Sequence, residues 1–437
     1  MGKNRRMNID DYMDPDLIDD GSADQATQDF NEADFVLSDV IRYSLNDFKT
    51  KLNNNVLIEG GSGTGKTTNV VVPNIRQAVG SYFICDPKGQ LYKRWGKYLR
   101  DHDYTVKLID FTHPDKSGGY NPMNYLKTTQ DITKLASTIT YSNGSENGKN
   151  IDPYWDRMTI LLLSAIIGYL VETDSPNKTF SAILDMVNLG EREDDEDKDS
   201  KLRRLFVKHK FQNPNSWACK KFDSVDTAPF KTYDTIRSTL SAKFAVFDSK
   251  ELRRMMEKPS IDFTEAAKKK TAVFVTVSDS DRTMDTLVNI FFTQAMNELC
   301  QYADDECKDG RLPIPVRFIL DDFATNCRIE EFPRMISSIR SRAISVMLMI
   351  QAEAQLVQGY GYDAQTIISN CDTFVYLGGN DVQTAYSIAE RCDKPMCEIL
   401  YMPVGHCWVF RRGSKPKNVV LPMLEQPEKV LEQSEER

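Results

Sequence analysis

Residues 53–75 read NNNVLIEGGSGTGKTTNVVVPNI. Val56-Leu57-Ile58 is a short apolar run that ends in glycines, and Gly60-x-x-x-x-Gly65-Lys66-Thr67 follows at once, the order of a strand, a tight turn and a helix start. Gly60, Gly61, Gly63 and Gly65 open backbone conformations closed to larger residues, so successive N–H groups around Ser62, Thr64 and Thr68 can face phosphate oxygens beside a helix N-terminus. In this Walker A pattern Lys66 reaches the β- and γ-phosphates and Thr67 binds Mg²⁺. A Gly-rich surface turn would not need the full spacing. The stretch therefore predicts an α/β domain that binds a nucleotide with Mg²⁺. It leaves open what the nucleotide drives.

Composition narrows the class. The chain has 437 residues, 41% hydrophobic and 27% charged, enough for two or three globular domains. The longest apolar run, MTILLLSAIIGYLV at 158–171, is shorter than the ~20 residues that span a bilayer and reads as a core helix. No signal peptide or myristoylation pattern opens the chain, since Arg6 stands where a Ser or Thr would be required. Nine scattered cysteines without a CxxC pair, and four histidines, argue for a reducing, cytoplasmic setting and against a zinc site.

The net charge of −9 gives no global sign of nucleic acid, but charge is unevenly placed. Residues 1–40 hold eleven acids against Lys3, Arg5 and Arg6, which predicts a mobile acidic arm. The acidic run EREDDEDKDS at 191–200 precedes seven Lys and Arg without an acid at 201–221. An ordinary solvated helix face explains that run; alternatively Arg203, Arg204, Lys208 and Lys210 touch phosphates and Trp217 stacks on a base.

Strand-like runs SYFICDPKG, YTVKLIDFT, TAVFVTVS, VRFILDD, ISVMLMIQ and DTFVYLGG alternate with helical patterns, while 128–267 is helical and polar. We therefore expect a nucleotide-binding domain over 41–127 and 268–425, an all-α insertion over 128–267 and a polar tail over 426–437. VRFILDDFA delivers Asp321 and Asp322 to the carboxyl end of a strand, where ligands gather in open α/β sheets. Asp321 is placed to hold Mg²⁺ through water and Asp322 to polarise the attacking water; capping of a following helix is the plainer alternative. Asp322 stands where such sites commonly carry Glu, one methylene longer, so slower hydrolysis is expected. Gln351 ends the next strand and is placed to sense the γ-phosphate or position water. Arg340 and Arg342 lie just ahead of that strand, where an arginine can enter a neighbouring subunit's ATP site or form a surface salt bridge.

Taken in series, NNNVLIEGGSGTGKT, PNI, SYFICDPKGQLY, YNPMNYL, ILDDFA, SIRSRAISVMLMIQAEAQL and IISNCDTFVYLGGND resemble the motifs of TraG/TraD-type conjugative coupling proteins, especially those of Gram-positive conjugative elements. The resemblance runs from about residue 50 to 415 and is slight in the helical insert. It implies a RecA-like motor domain bearing an all-α domain, assembled as a homo-hexamer at the cytoplasmic face of the membrane. It also implies partners: transfer DNA bound to a relaxase, relaxosome proteins, and the ATPase and membrane proteins of a type IV secretion channel. By position, Lys66 and Thr67 become the Walker A pair, Asp321 and Asp322 the Walker B acids, Gln351 the sensor-like glutamine and Arg340 the trans-acting finger. Family members usually begin with transmembrane helices, so this chain is expected to be a soluble fragment or to borrow its anchor from a neighbour. Two functions follow: an ATP-driven DNA translocase, or a nucleotide-gated adaptor that recruits relaxase and moves nothing. The paired acids, the glutamine and the arginine favour the translocase.

Overall fold

The computed structural model describes residues 22–37, 41–141, 153–192 and 199–421. Eleven strands occur among them: β1 (Asp34–Leu37), β2 (Ile41–Ser44), β3 (Val56–Glu59), β4 (Ser81–Pro87), β5 (Thr105–Asp110), β6 (Thr271–Val277), β7 (Val316–Leu320), β8 (Ile344–Ile350), β9 (Thr373–Tyr376), β10 (His406–Arg411) and β11 (Lys417–Val420). Nine of them form one sheet in the order β11-β10-β9-β3-β8-β7-β4-β6-β5. From β9 to β5 every pairing is parallel, and the β10–β11 hairpin adds two antiparallel strands at one side. Each of the six strand-like runs of the sequence is a strand of this sheet, so the α/β expectation holds.

A parallel sheet needs cover on both faces, and its strands accordingly read as unbroken apolar runs. Alternation along β3 shows the two sides: Leu57 points into the core shared with the helices of 129–306, whereas Val56 and Ile58 point into a second core with the P-loop helix and the N-terminal segment. Phe30, Phe35, Val36 and Leu37 belong to that second core. The acidic arm expected over 1–40 is thus corrected for residues 22–37, which form a helix (Ser22–Glu32) and β1. Their apolar residues find a core that charge counting cannot see. Residues 1–21 and the tail at 426–437 lie outside the described residues.

Between β5 and β6 no strand occurs among the described residues, and helices fill the interval. Their starts are written locally: Thr179, Ser200, Ser216 and Ser249 each accept a hydrogen bond from the backbone N–H three residues on, which satisfies a donor the helix leaves open. The apolar run becomes the helix Pro153–Glu172. By length and hydropathy its Tyr154–Glu172 stretch could cross a membrane. Met158, Leu162, Leu163, Ile166, Ile167 and Leu170 nevertheless bury into the main core, as the core-helix reading requires.

An aromatic cluster holds this helical excursion to the sheet. The chain leaves the sheet past Phe111 and Tyr120 and returns past Phe263, and a backbone bridge joins Gly119 to Ser260. A Cβ on Gly119 would come within 2.2 Å of the Pro259 carbonyl, so the two segments can lie this close only at a glycine. Phe291, on the helix Asp285–Glu306, meets Phe111, Tyr120 and Phe263 edge-on with centroids 6.3, 5.0 and 5.2 Å away. Phe291→Ala should therefore lower unfolding stability by about 3–5 kcal/mol, from lost burial plus an uncollapsed cavity. Urea unfolding measures this, and a shift below about 1 kcal/mol would show that the cluster is not a joint.

Candidate nucleotide-binding site

The sheet order sets the site. β8 lies between the Walker A strand β3 and the Walker B strand β7, and all three run the same way. Their carboxyl ends therefore deliver Gly60–Thr67, Gln351 and Asp321–Asp322 to one edge, with Gln351 in the middle. The Gly60 N–H donates to the Ile350 carbonyl at 3.1 Å and the Phe323 N–H to Met349 at 2.8 Å, which locks the three ends in register.

The loop geometry fits a phosphate cradle. Gly63 and Gly65 take φ of +77° and +89°, and a Cβ on Gly65 would sit 2.4 Å from the Asn69 amide. Glycine is required there. Gly60 is buried and Gly61 half-buried, while Ser62 and Gly63 form the exposed tip. Thr64 Oγ1 closes the turn on the Gly61 carbonyl at 2.9 Å, and Thr68 Oγ1 reaches the Gly65 carbonyl at 3.4 Å. Lys66 Nζ donates to the Gly60 and Gly61 carbonyls at 2.7 and 3.1 Å, so its charge already lies over the loop. The helix then opens with a π-helical turn, Lys66–Val71. Pro73 lies in the next turn and lacks the N–H that an α-helical ladder would use, and the wider turn accommodates that gap.

Asp321 and Asp322 face this loop. Burial first, then the neighbouring Asp322, pushes the Asp321 carboxyl up to about 6, and Lys66 opposes both. Asp322 adopts φ of +48° and accepts a hydrogen bond from Gln351 Nε2 at 3.2 Å. That amide aims the carboxylate the sequence assigned to water. Among the described residues no cluster of three or more His, Cys, Asp or Glu could hold a metal by itself. Mg²⁺ suits such a place, because it commonly takes one or two protein oxygens and completes its shell with phosphates and water. Thr67 and Asp321 fit that role.

Arg340 lies elsewhere. It precedes β8, and the seven residues of that strand put it about 23 Å from Gln351. Its Nη2 donates to the Asp47 carbonyl at 2.9 Å, with Nε 3.6 Å from the carboxylate. Arg342 is held by Asp304 through two bonds of 2.8 and 2.7 Å. In the helical insert, Arg203, Arg204 and Lys210 pair with Asp226, Asp199 and Asp223, and the Lys221 ammonium lies over the Trp217 ring. Phosphate contact by those cations would have to displace these acids.

Two acids at this edge were given no role by the sequence, although Asp86 lies in the DPKG motif of the resemblance. Asp86 caps the helix Gln90–Arg100 by accepting the Leu91 and Tyr92 N–H groups at 3.0 and 2.8 Å. Glu59, fully buried just before the P-loop, accepts from the Glu353 N–H and Thr384 Oγ1, both at 2.9 Å, through Oε1. Its Oε2 has no partner. An acid closing an apolar strand was the available signal.

Comparison with known proteins gives the family and the fold. Residues 22–396 match the model of the type IV secretory system conjugative DNA transfer family, and the chain belongs to that family. The structure resembles the bacterial conjugative coupling protein TrwBdeltaN70 in complex with sulphate, at 14% identity and a TM-score of 0.67, covering 92% of this chain and 93% of that one. It also resembles plasmid coupling protein TrwB in complex with the ATP analogue ADPNP (15% identity, TM-score 0.65, 92% of each chain). A third likeness is VirB4 of Thermoanaerobacter pseudethanolicus, at 13% identity and TM-score 0.55, over 91% of this chain and 98% of that one. No curated protein matches the chain by sequence. The α/β fold with its helical insertion is thus a fold shared with coupling proteins.

Lys66→Ala should abolish nucleotide hydrolysis while leaving thermal unfolding within about 1 kcal/mol, because the lysine is half-exposed and bonded only to its own loop. Wild-type turnover would remove Lys66 from the site.

Glu59 makes a pH prediction. Burial, with the Glu353 charge second, raises its carboxyl from 4.5 to about 7. Between those values the folded chain keeps a proton that the unfolded chain releases, so stability is highest below the lower value and falls as pH rises through the higher one. Glu59→Gln keeps the accepting oxygen and removes the titration. The variant should gain up to ~3 kcal/mol over wild type at pH 8 and nothing at pH 4.5, read as urea midpoints. Equal midpoints at pH 8 would show that Glu59 is not held protonated.

Proposed function

We propose that this chain is the ATP-dependent coupling protein of a conjugative type IV secretion system, recruiting a DNA–relaxase complex and driving DNA to the channel as a homo-hexameric motor. The observation that carries the reading is the Gln351–Asp322 hydrogen bond at 3.2 Å, beside a complete Walker A loop, in a chain of the conjugative DNA transfer family. A nucleotide-gated adaptor needs the phosphate cradle. It has no use for an amide that aims a carboxylate at water. TrwB has been seen with ADPNP and with ADP and Mg²⁺, which supports ATP and Mg²⁺ as the ligands here.

In this reading residues 41–127 and 268–425 form the motor and 128–267 the insertion that meets cargo. The chain works at the cytoplasmic face of the membrane, with relaxosome proteins and the channel's ATPase and membrane proteins as partners. Gly60–Thr68 hold the phosphates, Thr67 and Asp321 hold Mg²⁺, and the bound ion supplies charge neutralisation at the transferring phosphoryl group. Asp322 accepts a proton from water that Gln351 helps orient. Arg340 is too far from its own P-loop and acts on a neighbour's, where its planar cation suits charge spread over the phosphoryl oxygens.

The test is ATPase rate with and without single-stranded DNA on protein of measured assembly state. DNA-stimulated hydrolysis is expected; tight ATP binding and relaxase capture without hydrolysis would establish the adaptor instead. Gln351→Ala should lower kcat by about 10- to 100-fold and leave ATP affinity unchanged, since the amide touches Asp322 and not the phosphate loop. A variant with weakened affinity and unchanged kcat would overturn that role.

A further inference from the structure

Arg340 is the one member of the proposed machinery at the other edge of the sheet, and it stands in a built cluster. The short helix Asp47–Thr50 begins with a buried carboxylate, Asp47, and an exposed ring, Phe48. Arg311 grips that carboxylate with both terminal nitrogens, Nη2 to Oδ1 at 2.9 Å and Nη1 to Oδ2 at 3.3 Å. The same Nη1 lies 3.3 Å from the Arg340 carbonyl and 3.5 Å from that of Ser341, so it also pins the turn bearing Arg340. The Arg311 guanidinium sits 4.7 Å from the centre of the Phe48 ring.

The two arginines therefore differ. Arg311 is 23% exposed and doubly bonded to the carboxylate, whereas Arg340 is 38% exposed, bonds the Asp47 carbonyl and only approaches the carboxylate at 3.6 Å. Fork-to-fork pairing of the kind Arg311 makes is stronger and more directional than a single loose contact. Arg342, two residues on, is fully engaged by Asp304. Arg311 cannot leave without uncovering the buried Asp47 carboxylate, and Arg342 would give up two charge-assisted bonds to Asp304. Arg340, by contrast, gives up one carbonyl bond and a loose contact while Arg311 continues to neutralise Asp47.

We propose that Asp47 and Arg311 form a positioning pair that aims Arg340 from the amino-terminal edge of the sheet into the nucleotide site of an adjoining copy. Neither residue touches nucleotide. The pair holds the turn Ile339–Arg342 at a fixed height, and the Phe48 ring extends the same edge as an apolar contact for the adjoining copy. The inference rests on the trans role of Arg340.

The experiment uses the full chain under DNA-stimulated conditions. Asp47→Asn should lower kcat by about 10- to 100-fold, the penalty typical of a misaimed group, with ATP affinity unchanged because each chain's own P-loop is intact. Mixing Asp47→Asn with Lys66→Ala protein should restore activity, since the second supplies a well-aimed Arg340 to the first's intact P-loop. Mixing Asp47→Asn with Arg340→Ala protein should not. Arg311→Lys, which keeps the charge and loses the fork, should behave like Asp47→Asn and serves if that variant does not fold. Wild-type kcat in either variant, or failure of Lys66→Ala chains to rescue them while rescuing Arg340→Ala, would overturn the pair. Wild-type activity in Arg340→Ala would overturn the trans arginine itself, a separate result.

Discussion

The parallel sheet has two chemically distinct edges, and every functional feature follows from that. Strands β3, β8, β7 and β4 all point one way, so Gly60, Gln351, Asp321 and Asp86 arrive together without any long-range instruction. What precedes the same strands, Asn55, Arg340 and Pro315, collects at the opposite edge. A strand of seven residues is long enough that no side chain at one edge reaches the other. Chemistry that needs groups from both edges at one phosphate must therefore bring two chains together.

At the carboxyl edge the governing force is crowded negative charge in a poorly solvated place. Asp321 is pushed up by burial, with Asp322 and Asp86 adding to it, and Lys66 is the one cation acting against them in that balance. Such a group gains more from a divalent cation than an exposed carboxylate would, because the ion replaces water that the site excludes. Glu59 belongs to a different network. Its partners, Thr384 and the Glu353 backbone, lie on elements after β8 and β9, and Arg391 pairs with Glu353 at 3.1 Å. The strand that ends in the P-loop is thereby fastened to the helix Val382–Cys392.

Much of this was legible in the sequence where local pattern and global fold agree. The six apolar runs are strands, and the glycine spacing of 60–65, the tandem acids and Gln351 meet at one edge. Where the pattern was ambiguous, partners decided. The β10 run HCWVFR has the aromatic and β-branched residues of a strand, but nothing local points to its antiparallel pairing with β9. Residues 22–37 look acidic by composition, yet their few aromatics face a core assembled from strands far along the chain. Asn53, Asn54 and Asn55 read as a polar loop; in the structure Asn53 and Asn55 both donate to the Asn370 carbonyl at 3.1 Å, Asn54 holds Leu45 at 2.7 Å, and Asn55 accepts from Val346 at 3.2 Å. No spacing rule points from 53 to 370.

The basic segments show why charge counts underdetermine function. By residue type and charge Arg340 and Arg342 are equivalent, and 201–221 carries seven cations without an acid. In space Arg342, Arg203, Arg204 and Lys210 each meet a carboxylate from another element or turn, and Arg340 meets chiefly a backbone carbonyl. Exposed ion pairs contribute little to stability, but they do set which cations start neutralised. A phosphate approaching Arg203, Arg204 or Lys210 must compete with Asp226, Asp199 or Asp223, whereas at Arg340 it competes with the Asp47 carbonyl and with a carboxylate 3.6 Å away that Arg311 already grips. The same residue type thus has a different cost of redirection at each position, and that cost is set by tertiary partners rather than by sequence.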